Sequence, residues 1–143
     1  MGKLSRTKGA AGEREFCKLL SAELEYLGVD ASLSRNLQQA RDGGYDIDGL
    51  DMLAIEIKRA KKPDIRAWWC QCVLQSYESD RTPVLAYRLD NQKWRVRMHI
   101  NDIANLDVSV NANDSLEFTV EMDLSLFAQL VADRLLKRDG KAA

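Results

Sequence analysis

A chain of 143 residues, 45% hydrophobic and 30% charged, has the size and make-up of one globular domain that buries a core without cross-links. No apolar run approaches the roughly eighteen residues that span a bilayer, and the opening MGKLSRTKGAAGERE lacks a secretory leader's apolar stretch, so a cytoplasmic protein with no membrane partner is expected. Three cysteines (Cys17, Cys70, Cys72) and one histidine, His99, argue against a disulfide framework and leave zinc short of ligands.

The net charge of −1 conceals an uneven distribution. Residues 81–100 carry five basic side chains against Asp90, whereas residues 101–143 carry eight acids against four bases. A local basic face can bind phosphate at near-zero net charge, although solvated strand and helix faces would look the same.

In chain order, Phe16, Leu20, Leu24 and Leu27 recur at helical spacing and predict a helix from about Ala10 to Leu27, stopped by Gly28. Glu13 falls on the same stripe as these apolar residues. Ala31–Arg35 predicts a short strand, and Asn36–Gly44 a polar, mobile loop. Strands follow at Tyr45–Gly49 and Met52–Lys58, joined by a turn near Leu50-Asp51. In the second strand Leu53, Ile55 and Ile57 alternate with Ala54, Glu56 and Lys58, which places Glu56 and Lys58 on one face. Asp64–Asp80 predicts a helix with the stripe Ile65, Trp68, Trp69, Cys72 and Ser76. Its tryptophans read as core rather than as a stacking platform. Gln71 and Gln75 share a polar face that either meets solvent or lines a site. Strands are expected at Pro83–Leu89, Trp94–His99 and Leu116–Met122, and a terminal amphipathic helix at Leu124–Arg138. This order predicts an α/β fold, a central mixed sheet flanked by helices with a C-terminal strand-helix extension. Residues 1–100 form the core, and 101–143 pack on the same domain.

Phosphodiester hydrolysis needs an activated water and stabilisation of developing negative charge, tasks suited to a hard divalent cation held by carboxylates, with a lysine beside it. Glu56-Ile57-Lys58 supplies an acid and a lysine. A chain with 22 acids is expected to contain about one acid-x-Lys triplet by chance, and Asp139-Gly140-Lys141 is such a decoy. Context distinguishes Glu56. It ends an apolar strand whose hairpin partner carries Asp46 and Asp48, although a polar hairpin edge and an exposed ion pair would explain the same residues. Placing Asp46 opposite Glu56 requires an odd loop or a bulge, for which Gly49 is suited. Glu13 adds a third acid. Arg59, Lys61 and Lys62, just beyond the strand, either meet phosphate or form a solvated basic turn.

The run Lys8-Gly9-Ala10-Ala11-Gly12-Glu13-Arg14-Glu15-Phe16, then Arg35, Asp46-Ile47 and Ala54-Ile55-Glu56-Ile57-Lys58, resembles the archaeal Holliday-junction resolvase branch of the PD-(D/E)XK nucleases. Pro83–Arg88 and Trp94-Arg95 resemble that family's later strand pair, and the likeness spans about Lys8 to Arg97. It implies a restriction-endonuclease-like sheet, Mg²⁺-dependent cleavage of DNA (with Mn²⁺ able to substitute) and a homodimer acting on branched or four-way junctions. By position it implies Glu13, Asp46 and Glu56 as metal-site acids, the Ile57 carbonyl as a further ligand, and Lys58 as the catalytic lysine. Lys8, Arg14 and Arg35 match positions that contact DNA. Tyr45 stands where the superfamily name has proline. Asp48 is a rival to Asp46, which is favoured by the aliphatic Ile47 after it. A restriction-like or repair nuclease, an inactive DNA-binding module and an interaction domain unrelated to DNA are the alternatives. Such an enzyme could serve a virus as readily as a cell.

Overall fold

The computed structural model describes residues 3–38, 44–104 and 116–138. Part of the expected Asn36–Gly44 loop, and Asp139–Lys141, lie outside them. Helix α1 spans Lys3–Tyr26, starting well before Ala10. An apolar stripe marks where a helix packs, not where it begins, and Gly9 and Gly12 each cost only about 1 kcal/mol in a helix of 24 residues. The helix ends in a Schellman turn: Gly28 takes φ 82°, Gly28 N donates to Glu25 O at 3.0 Å, and Val29 N donates to Leu24 O at 2.9 Å.

Strands β1 (Ser34–Arg35) and β2 (Ile47–Asp48) form a two-residue antiparallel pair. The expected hairpin ladder between β2 and the next strand is therefore replaced. Strand β3 (Leu53–Ala60) receives only Asp46 N, donating to Ile55 O at 2.8 Å, as a backbone bond from this segment. Gly49 explains the departure. Its φ is 116°, and a Cβ there would lie 2.3 Å from the Ser32 carbonyl oxygen, so the chain bends away where β1's approach crowds it.

Helix α2 (Ile65–Ser79) crosses over from β3 to a parallel β4 (Thr82–Leu89). Strand β5 (Arg95–His99) adds antiparallel to β4, and β6 (Thr119–Asp123) adds antiparallel to β5, giving the mixed order β3-β4-β5-β6. Leu116–Phe118 forms a 3₁₀ turn rather than the first residues of β6. A one-turn helix α3 (Ile100–Ile103) follows β5, with His99 Nδ1 accepting from Asn101 N at 3.1 Å. Helix α4 covers Leu124–Arg138, where the sequence placed it, and Asp123 Oδ1 caps it by accepting from Leu126 N at 2.8 Å.

Helices α1 and α4 cover one sheet face, with Phe16, Leu20, Leu24, Phe127 and Val131 against Ile55, Ile57, Val84, Val96 and Met98. Helix α2 covers the other with Trp69, Cys72 and Val73 against Leu85 and Tyr87. Phe16 is fully buried beside Trp94 and Phe127, and its truncation to alanine should cost about 3–5 kcal/mol. Strand β3 lies between these layers, so Glu56 faces α2 from inside the protein.

Candidate active site

Four of the residues singled out from sequence converge at the free edge of β3. Asp46 and Glu56 are only 4% and 5% exposed, and Glu13 is 9% exposed. Their elements explain the convergence. Strand alternation turns Glu56 toward α2, the stripe of α1 carries Glu13 inward, and the β2 segment lays Asp46 along the β3 edge. Ile57 N donates to Asp46 Oδ2 at 2.7 Å, so a carboxylate takes the place of a ladder carbonyl. Together with the bond from Asp46 N to Ile55 O, Asp46 brackets Glu56 on both sides. A residue's N–H and C=O leave a strand on the same edge, so the Ile57 carbonyl opens beside Asp46.

Lys58 Nζ lies 3.4 Å from Glu56 Oε1 and donates to Gln71 Oε1 at 2.8 Å. Gln71 Nε2 donates to Glu56 Oε1 at 3.3 Å. With its amide nitrogen turned toward the acceptors, Gln75 donates to Glu56 Oε2 at 2.6 Å and to Gly44 O at 3.0 Å. The polar face of α2 thus meets the site, with Gln71 at its solvent-exposed rim and Gln75 half-buried. Arg35 Nε donates to Glu13 Oε2 at 2.6 Å.

Burial pushes Asp46 up to about 8, with the Glu56 charge adding to it, the Ile57 N–H opposing, Glu13 raising it further and Lys58 lowering it. Glu56 is likewise raised by burial, opposed by Lys58 and reinforced by Glu13. Three carboxylates therefore share a poorly solvated space with the Lys58 ammonium and the Arg35 guanidinium, and neighbouring acid charge raises both Asp46 and Glu56. Among the described residues no three acidic, histidine or cysteine side chains are already gathered as a ready ligand set. Mg²⁺-like ions need only one or two carboxylates and otherwise keep water, so these buried, hard oxygen donors fit such an ion.

The basic residues distribute differently. Arg14 and Arg35 line one groove of about 480 Å³ beside the acids, together with Lys18. Lys61 and Lys62 are exposed. Lys8 pairs with Asp90 at 2.9 Å. Arg59 lies 3.7 Å from both Glu15 and Asp90, and its side chain is 17% exposed. It therefore belongs to an internal charge network with Arg88 and Trp94, both bonded to Glu15 Oε1. Arg95 and Arg97 are matched by Glu121 on β6. Sequence reasoning did not single out Asn36, whose Nδ2 donates to Tyr45 O at 2.9 Å, or Arg81, stacked on Tyr45. Neither contact has a periodic signature.

Residues 4–130 match the family described as "Phage putative PDDEXK endonuclease". The chain belongs to this family. Membership makes it a PDDEXK-type nuclease, of a kind that acts on DNA and generally uses divalent metal. No curated protein matches it. Among solved structures the chain is similar to Hjc, a Holliday junction resolvase from the archaeal hyperthermophile Archaeoglobus fulgidus. That likeness has 20% identity, covers 83% of this chain and 98% of the other, and has a TM-score of 0.41. No helix among the described residues is long and apolar enough to cross a membrane.

Proposed function

We propose that this nuclease is a Mg²⁺-dependent endodeoxyribonuclease that resolves four-way or otherwise branched DNA as a homodimer, with Mn²⁺ able to substitute. The observation that carries the chemistry is the buried Asp46–Glu56 pair with Lys58 Nζ 3.4 Å from Glu56. Asp46, Glu56 and the Ile57 carbonyl would hold the cation, with Glu13 behind them. The cation supplies polarisation of a phosphoryl oxygen and acidification of a water. Lys58 is held by Gln71 and presents its ammonium beside Glu56. There it orients the attacking water and donates to the charge that develops on the phosphate. Gln71 and Gln75 hold both Glu56 oxygens in place, which fixes the carboxylate before substrate arrives.

Arg14 and Arg35 line a groove joined to the acids through the Arg35–Glu13 pair, and we place the DNA backbone along it. The exposed Lys61 and Lys62 extend the contact, whereas Lys8 and Arg59, like Arg35, would first have to give up their carboxylate partners. Branched substrate and paired subunits rest on the sequence resemblance, since cutting two strands of a junction requires two sites. The family's phage description fits a virus-encoded enzyme.

Cleavage of four-way junction, fork, flap and linear duplex, each with Mg²⁺ and with EDTA, tests the reading. Junction cleavage that needs metal and falls about 10²–10³-fold in Lys58→Met is expected. Equal cutting of linear duplex would replace the resolvase with a restriction-like or repair nuclease. A chain that binds DNA yet cuts none of the four would be an inactive binding module. Light scattering in solution decides the dimer.

A further inference from the structure

Asp46 is carried by a segment with little regular structure of its own. Strand β2 is two residues long, and its ladder partner β1 is equally short. Ile47 and Leu50, each 1% exposed, anchor the segment's far side in the core, and its near side is held through Asp46 and the residue before it. The Tyr45 ring lies under the Arg81 guanidinium, with Cζ 4.0 Å from the ring centre. Arg81 is tied in turn to the start of β3, its Nη1 donating to Leu53 O at 3.4 Å, and it directly precedes β4. The Tyr45 carbonyl accepts from Asn36 Nδ2 at 2.9 Å. Asn36 N then donates to Asp46 O at 2.7 Å, and Asp46 N to Ile55 O at 2.8 Å.

We infer that Tyr45 and Arg81 form a clamp that positions Asp46, seating its carboxylate against Glu56 by stacking the preceding side chain on the rigid β3–β4 pair. The inference rests on the proposed role of Asp46 and adds to it two residues that touch neither substrate nor cation. The ring is held by a cation–π contact and the peptide by Asn36. Tyrosine leaves φ free, unlike proline, so the restraint must come from outside the residue. Loss of the ring or of the guanidinium frees the Tyr45 end of the segment, and with it the seating of Asp46, while Asp46, Glu56 and Lys58 all remain. A displacement of about 1 Å in a reacting group is enough to cost up to about a hundredfold in rate.

The test uses the full chain with junction DNA, reading kcat and KM in Mg²⁺, Ca²⁺ affinity by calorimetry, and thermal melting. Tyr45→Leu and Arg81→Met should each lower kcat roughly ten- to a hundredfold, leave KM for DNA near the parent value and weaken Ca²⁺ binding. Because both break one contact, the double variant should be no worse than the poorer single. Tyr45→Phe and Arg81→Lys should recover most of the loss. Folded single variants with parental kcat and Ca²⁺ affinity would overturn the clamp and leave the nuclease reading intact. So would additive losses, or a fall that follows melting temperature and is not recovered by Phe or Lys. A parent chain that neither cuts DNA nor binds Ca²⁺ removes the nuclease reading, and the clamp with it.

Discussion

Arg35 donates from Nε to Glu13 Oε2 at 2.6 Å, so a guanidinium already sits on the acid that α1 contributes to the proposed cation site. The pair is largely shielded, with side-chain exposures of 28% and 11%. Arg35 also lines the basic groove, where a phosphate would compete for it. Binding of DNA and of cation are then coupled, and such coupling is reciprocal.

Arg35→Gln should therefore tighten Ca²⁺ binding in the absence of DNA by roughly five- to tenfold while weakening DNA binding, the size expected of a modest coupling energy. Calorimetry with and without a DNA duplex reads both effects. Weaker Ca²⁺ binding in the variant would show that Arg35 supports the site instead of competing for Glu13.

Asp46 predicts a particular pH dependence. Its folded-state value of about 8 lies above the ordinary carboxylate value. Between about pH 4 and that value the folded protein holds a proton that the unfolded chain has released, so metal-free stability should fall as pH rises through this window. A bound divalent cation should reverse the trend, because it favours the ionised carboxylate. Asp46→Asn keeps an acceptor for Ile57 N–H without the charge. It should raise the melting temperature at pH 8 in EDTA and abolish cleavage. Melting curves at pH 5 and 8 that do not diverge would contradict this account.

Gly12 lies where α1 crosses β3. A Cβ there would approach Arg59 Cγ to 2.4 Å, a contact that requires Arg59 to move and its pairs with Glu15 and Asp90 to loosen. Helix propensity alone favours alanine by about 1 kcal/mol. Overpacking should win, and Gly12→Ala should lose about 1–3 kcal/mol in chemical denaturation. Adding Arg59→Ala should remove the clash, leaving the double variant at least as stable as Arg59→Ala alone.

Arg14 is exposed on the rim of the groove that holds Arg35. Arg14→Ala should weaken binding to every DNA form to a similar degree and reduce the slope of log affinity against log salt by about one. An unchanged slope would move the DNA path elsewhere on the surface.

The sheet and its helices were legible in the sequence because apolar periodicity reports burial directly. Leu124–Arg138 was placed at its observed ends, and β3 showed both its core stripe and its acid-and-lysine face. The β2 segment was not legible as it stands. Alternation suggested a hairpin ladder, and only the bend at Gly49 under the Ser32 carbonyl turns β2 to pair with β1. At the site, the spacing of Gln71 and Gln75 allowed a choice between solvent and Glu56 that only the crossover of α2 resolves. Arg59 looked available for phosphate because sequence shows its charge and not Glu15 and Asp90 beside it. The Tyr45–Arg81 stack left no trace, since it joins a loop to a position 36 residues later through one contact.

Helix α4 rests on α1, with Phe127 against Phe16 one turn beyond Glu13. The last helix in the chain is thus a buttress for the first, and the acid that α1 carries inward depends on that support. A shortened chain ending near residue 100 would bare the Phe16 side of the sheet and lose its hold on Glu13, although every residue of the acid cluster would still be present.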